Sequence, residues 1–246
     1  MSEQASNYVA IDCNVDCRPH LEVLRRAGVT TIFRYLNPLG RSSKACTPEE
    51  AVAIAQAGLA LGLVSEGWGD FAHGGISAAA GERDANAALA NAPLLGAPDG
   101  ACVYFAVDCD ASEREVSKLV LPYFQEIKRA FGAKYRVGVY GSGLVCSRVL
   151  GARLADLAWL SCSLGWSGSR EFLASKRWAI AQKVPRHLAH FEFDPDDLAG
   201  DVGTFVPGAV RDEQATTAVS AATVSPLERL LAEVSEALKA REPASA

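Results

Sequence analysis

The run Cys102-Val103-Tyr104-Phe105-Ala106-Val107-Asp108 decides how this chain is read. An uninterrupted apolar run between turn signals is a buried strand, and this one ends on a carboxylate. Three other runs end the same way: Tyr8-Val-Ala-Ile-Asp12, Leu61-Gly-Leu-Val-Ser-Glu66 and Phe191-Glu-Phe-Asp194. A further run, Val137-Gly-Val-Tyr140, ends on a phenol. The C-terminal tips of parallel strands lie at the mouth of an α/β sheet, where catalytic groups gather. Several acidic tips on one sheet therefore predict an acidic site.

Outward from that run, strand-like and helix-like segments alternate. Strands are expected at 8–12, 30–36, 60–66, 102–108, 135–140, 157–162, 177–182 and 190–194. Helices are expected at 19–27, 47–57, 76–95, 112–131 and 144–154. Thr47-Pro-Glu-Glu50 and Ser112-x-x-Glu115 are helix starts with an N-cap hydroxyl and a glutamate at the third helical position. Eight strands with intervening helices predict a TIM (β/α)8 barrel over residues 1–205. It is irregular in strands 6–8, because 163–175 reads as loop with one helical turn and 184–189 as a bare connection. An open doubly wound sheet is the alternative. Residues 206–246 read as a linker and a C-terminal amphipathic helix, with Leu227, Leu230, Leu231, Val234 and Leu238 at helical spacing over 226–241. That helix either packs on the barrel or serves protein partner docking or self-association.

Composition excludes several classes. A net charge of −5 argues against nucleic acid, whose phosphates need a basic face. The N-terminal residues have no basic and apolar regions of a Sec signal peptide, and no apolar stretch reaches the ~18 residues that span a bilayer. The expectation is a protein cytoplasmic as synthesised, not membrane-bound, and delivered by phage-type lysis or a specialised secretion system. The seven cysteines form no CxxC pair and read as reduced thiols. His187-x-x-His190 lacks a third ligand, so no metal and no cofactor is expected. The glycines of Gly138-x-x-Gly141-x-Gly143 are wrongly spaced for a dinucleotide loop and read as close packing and a tight turn.

The motifs together carry a resemblance. Phe33-Arg-Tyr-Leu36, Thr47-Pro-Glu-Glu50 with Ala57-Gly-Leu59, Glu66, Gly81-x-x-Asp84-Ala85, Tyr104-Phe-Ala-Val-Asp108-x-Asp110, Gly138-Val-Tyr-Gly141, Trp159 and Gln182 occur in the order of the bacterial DUF1906 domain, the Rv2525c-like glycoside-hydrolase-like group. That group is similar in fold to the family 25 lysozymes. The resemblance covers residues 8–200 and implies a TIM barrel and a role on peptidoglycan. In those lysozymes the fourth strand ends in Asp-x-Glu with the glutamate as general acid. Here the positions read Asp108-Cys109-Asp110, and the missing methylene shortens the reach by about 1.5 Å.

Glycoside hydrolysis needs two carboxyl groups, one protonated and one ionised, which crowded carboxylates supply. Glu66 is therefore expected as general acid and Asp108 as its partner, with Asp12 tuning charge or positioning water. Asp110 either joins them or favours the N-terminus of the following helix. Asp194 belongs to the site or to an Asp194-Pro-Asp-Asp197 turn. Tyr35, Trp68, Tyr140, Trp159 and Trp166 offer rings to a sugar, and Gln182 a hydrogen bond to a hydroxyl or N-acetyl group. Taken with the resemblance, these residues imply a muramidase-type hydrolase whose polysaccharide substrate is peptidoglycan. The alternatives are a non-catalytic glycan-binding module and a cytosolic hydrolase of a small or storage glycan.

Overall fold

The computed structural model describes residues 9–36, 44–67, 69–71, 74–188 and 191–208. Trp68, His190 and the expected linker and helix beyond residue 208, with the docking role of 226–241, lie outside the described residues.

Seven strands pair in parallel in chain order: β1 (Ala10–Asp12), β2 (Thr31–Tyr35), β3 (Ala60–Ser65), β4 (Cys102–Ala106), β5 (Arg136–Gly141), β6 (Leu157–Leu160) and β7 (Ile180–Gln182). Between them run α1 (Leu21–Arg26), α2 (Pro48–Gln56), α3 (Ala78–Asn91), α4 (Glu113–Glu115) continued by a π turn and α5 (Leu121–Phe131), then α6 (Gly143–Gly151) and α7 (Ser169–Ser175). The sheet closes into an eight-stranded TIM-type barrel. Both expected caps are present: Thr47 accepts from the Glu50 amide, and Ser112 with Glu115 forms a reciprocal capping box. Gly81 is where α3 crosses α5, since a Cβ there would stand 2.2 Å from the Tyr123 carbonyl oxygen.

The closing strand departs from expectation. It was expected at 190–194 after a bare connection; instead β8 (Arg186–Leu188) and β9 (Phe191–Leu198) form an antiparallel hairpin. β9 enters the barrel between β7 and β1, antiparallel to both. A parallel return needs a crossover of a dozen or more residues, usually a helix. The chain from β7 to β9 supplies only residues 183–190, so the last strand must reverse. The segment 163–175 was expected to hold a single helical turn and instead ends in α7.

Alternation along the strands fills the barrel. Phe33, Tyr104, Trp159 and Ile180 meet inside it, with Trp159 packed at 4.8 Å from Phe33, 5.4 Å from Tyr104 and 5.5 Å from Tyr140 between ring centroids. Such a ring cluster needs gaps in the opposing strands. Gly62 makes room for Phe33, and Gly138 for Tyr104. The lower end is sealed by the segment after β9: Tyr104 donates to the Val202 carbonyl at 2.9 Å, the Cys102 amide to that of Gly203, and Leu61 pairs with Phe205. The upper end opens on a pocket.

A Cβ at Gly138 would lie 2.3 Å from Cδ1 of Tyr104, whose ring is pinned by its hydroxyl bond to Val202. Gly138→Ala should therefore cost about 1–3 kcal/mol, the usual penalty of overpacking. The urea midpoint measures it, and an unchanged midpoint would show that the ring can yield.

Candidate active site

Each wall residue arrives on a strand tip. β1 brings Asp12, β2 Tyr35, β5 Tyr140, β6 Trp159 and β7 Gln182, while Glu66 and Asp108 follow β3 and β4 directly. With Asp194 of β9 and Trp166 of the β6–α7 loop they line one pocket of about 350 Å³. Nine of the residues expected from sequence are thus brought together. Asp194 gets there differently from the expectation: it sits in the first half of a reversed strand, directly opposite Asp12.

Glu66 and Asp108 crowd one spot. The Glu66 Oε1 and the Asp108 Cβ would each lie 3.3 Å from a Cβ on Gly69, and the Asp108 amide donates to the Gly69 carbonyl at 2.6 Å. Glu66 Oε2 accepts from Lys44 Nζ at 3.0 Å, and the same ammonium stands 5.2 Å over the Tyr35 ring. Burial and the neighbouring Glu66 push the Asp108 carboxyl above its ordinary range, opposed by Lys44 and the Tyr140 hydroxyl. Water entering the open pocket tempers that push, because Asp108 is solvent-accessible. The Tyr35 phenol is pushed up by burial and by Asp12, Glu66, Asp108 and Asp194 together, so the ring stands among all four.

Gln182 organises the opposite wall. Its Oε1 accepts from the Tyr140 hydroxyl at 2.9 Å and the Cys162 amide at 3.4 Å; its Nε2 donates to Asp12 at 2.9 Å and Asp194 at 3.4 Å. The fixed Cys162 donor sets the amide orientation. Two donors and two acceptor sites are thereby used within the protein.

Beneath this wall lies a carboxyl that the sequence analysis does not single out. Asp196 is two residues beyond Asp194 on β9 and faces the same way, into the barrel, where it is 4% exposed. Burial, Asp12 and Asp194 hold its carboxyl well above the usual range. The Trp159 indole N–H is close enough to oppose this but falls short of hydrogen-bond geometry, leaving both Asp196 oxygens without a formal partner. Asp12 is itself pushed up to about 8, first by burial and then by Asp194. Asp194 is pushed up to about 6 by burial, Glu192 and Asp108. The alternation of β9 marks Asp196 in the sequence, but Pro195 masks the strand. Nothing in the sequence marks Lys44.

One expected residue is placed elsewhere and another takes a different position in the pocket. Asp110 does not line the pocket; its Oδ1 accepts the Ser167 amide at 2.8 Å. Trp159 is the pocket floor, 1% exposed and packed among rings, rather than a platform open to a sugar. Among the described residues no group of three metal-ligating side chains is assembled, and no helix is long and apolar enough to cross a membrane.

A barrel sealed below, with carboxyl groups and aromatic side chains around its open end, is a TIM-type barrel with an acidic mouth. Residues 22–217 match the Rv2525c-like, glycoside hydrolase-like domain, and the chain belongs to that family. Two Bacillus subtilis (strain 168) proteins are similar in sequence. YbfG, uncharacterized, is 36% identical over 175 residues, covering 65% of this chain and 24% of YbfG. FadG, also uncharacterized, is 32% identical over 190 residues, covering 73% of this chain and 33% of FadG. The chain thus spans a quarter to a third of these relatives. Among solved structures it resembles the Mycobacterium tuberculosis Tat-secreted protein Rv2525c, with a TM-score of 0.67 at 19% identity over 81% of this chain and 99% of that one. The CTP1L endolysin follows at a TM-score of 0.51 and 11% identity, over 78% and 66% of the two chains. At such identities the likeness is one of fold.

The raised carboxyls make stability depend on pH. Asp12 and Asp194 titrate at about 8 and about 6 in the folded protein, against 3.8 for an ordinary aspartate. The folded state therefore holds protons that the unfolded chain releases. Their contribution is complete below pH ~4 and is lost as pH rises through 6 and then 8. The thermal midpoint should fall between pH 5 and pH 8, and Asp12→Asn should flatten that fall by a few degrees, about what ~1 kcal/mol does in a domain of this size. An equal slope in both proteins would place the Asp12 proton elsewhere.

Proposed function

We propose that this domain hydrolyses the glycan strands of peptidoglycan in the manner of a muramidase, with Asp108 and Glu66 as the working carboxyl pair. One observation carries the reading: four carboxyl groups from four strand ends crowd a single solvent-open pocket whose floor and walls are aromatic. Glycosidic cleavage asks for a proton on the leaving oxygen and a negative charge facing the oxocarbenium-like carbon. The roles run opposite to the sequence expectation. Asp108, pushed towards the protonated form, is the donor; Glu66, held by Lys44, is the anion. Asp12 and Asp194, tied to Gln182, set the field and the water structure behind them. Family membership and the endolysin's fold are consistent with such a substrate.

A second reading, a module that grips glycan without cutting it, draws on the same ion pair. Lys44 on Glu66 and Gln182 on two further carboxyls leave much of the acidic wall engaged within the protein.

Mass spectrometry of purified sacculi after incubation distinguishes them. Wild-type protein should release fragments with new reducing ends, and Glu66→Gln and Asp108→Asn should each lower the rate by about 100-fold or more, the usual worth of a positioned proton-transfer group. Retention on sacculi with no new ends from the wild type would establish the binding module and end the hydrolase reading.

A further inference from the structure

Asp110 sits two residues past Asp108, where a second working carboxylate is expected, yet the two side chains part company. Asp108 faces the pocket, whereas Asp110 reaches the loop between β6 and α7. It is not needed as a helix cap, because Ser112 and Glu115 already close the N-terminus of α4.

The loop it reaches is held through both backbone groups of one residue, Ser167. The Ser167 amide donates to Asp110 Oδ1 at 2.8 Å, and the Ser167 carbonyl accepts from the Leu144 amide at 2.8 Å. Next to it, the Ser169 hydroxyl accepts from the Gly143 amide at 3.0 Å. The backbone comes so close at Gly143 that a Cβ there would stand 2.0 Å from the Gly168 oxygen. On the other side of Ser167 is Trp166, whose amide donates to the Ser163 carbonyl at 2.9 Å and whose side chain lines the pocket. The α6 end of the loop is thus fixed by backbone contacts. On the β4 side it is tied by the Asp110 carboxylate.

We infer that Asp110 is a positioning residue for ligand recognition: it holds the Ser167 peptide so that Trp166 forms a wall of the pocket against which an apolar sugar face packs. What it supplies is a hydrogen-bond acceptor, and its negative charge is incidental. The inference rests on the glycan reading for its ligand but not for the loop geometry.

The acceptor requirement gives the test. Asparagine keeps an Oδ1 acceptor and loses the charge; alanine loses both. In the full chain, acrylamide quenching of Trp166 is isolated by difference from Trp166→Phe, and binding of an N-acetylated chito-oligosaccharide is measured by calorimetry. Asp110→Ala should expose Trp166 to quencher and weaken the oligosaccharide by about 5- to 10-fold, as the loss of one ordinary hydrogen bond would. Asp110→Asn should stay near wild type in both. Asparagine behaving as badly as alanine, or Trp166 quenching unchanged in Asp110→Ala, would overturn the inference. If the wild type does not bind the oligosaccharide, the glycan reading suffers, while the quenching arm still decides the role of Asp110.

Discussion

The reversal of β9 is the constraint on which the rest of the site depends. In a barrel closed by a parallel strand, the last strand brings its C-terminal tip to the mouth. Here the helix-less connection after β7 turns β9 round, so its N-terminal half reaches the mouth and its C-terminal half descends inside the barrel. The register sets Asp194 opposite Asp12, and Asp196 opposite Ala10 on one side and Gln182 on the other. Two aspartates facing each other across an antiparallel pair repel when both are charged. A third carboxyl beneath them, sealed from water, makes full ionisation untenable, so protons must be retained. The folding route of one short connection thereby supplies protonated carboxyl groups close to the anionic ones.

The carboxyl side chains themselves are held in place by uncharged neighbours. Tyr140, Gln182 and the Cys162 amide form one hydrogen-bonded chain ending on Asp12 and Asp194. Such a chain stiffens the wall and fixes which oxygen faces which donor. Below it, Phe33, Tyr104 and Trp159 fill the barrel and keep bulk water from the Asp12–Asp196 pair. The glycines at 62 and 138 serve this directly, since side chains there would occupy the space of the Phe33 and Tyr104 rings.

What the sequence makes legible follows from locality. Strands β1 to β6, the Thr47 and Ser112 caps and the strand-tip placement of Asp12, Glu66 and Asp108 are written in short periodic runs and in hydroxyls at helix starts. The glycines of Gly138-Val-Tyr-Gly141 read correctly as packing elements for the same reason. β9 was cut short because Pro195 lacks an amide donor, and proline ordinarily argues against an interior strand. Here it is tolerated opposite Ile11, with its carbonyl taken by the Lys183 amide. Cutting the strand there hid Asp196. Asp110 and Asp108 look alike in sequence, because whether a side chain past a strand end turns inward or towards a neighbouring loop depends on a partner 57 residues away. The reach of Lys44 to Glu66 is likewise non-local.

The Phe33-Arg-Tyr-Leu36 motif shows how such a distant contact is secured. Phe33 and Tyr35 point into the barrel as floor and wall, so Arg34 must point outward, into the layer beneath α2. There it is wholly buried and makes a two-pronged pair with Glu50, through Nε at 2.7 Å and Nη2 at 3.0 Å. Glu50 looks like a capping-box residue in sequence; its carboxylate instead serves Arg34 and the Cys17 amide at 2.9 Å. Arg34 Nη1 completes the arrangement by donating to the carbonyls of Cys13 at 2.6 Å and Lys44 at 3.1 Å. A buried pair of this kind adds little net stability over an apolar substitute, although breaking one partner costs about 3–5 kcal/mol. Its value here is geometric. One guanidinium fixes the backbone following Asp12 and the backbone of Lys44 to the same strand that carries Tyr35. The ammonium facing Glu66 and the carboxyl facing Gln182 are thus held from opposite sides of the pocket by a single residue that never touches it.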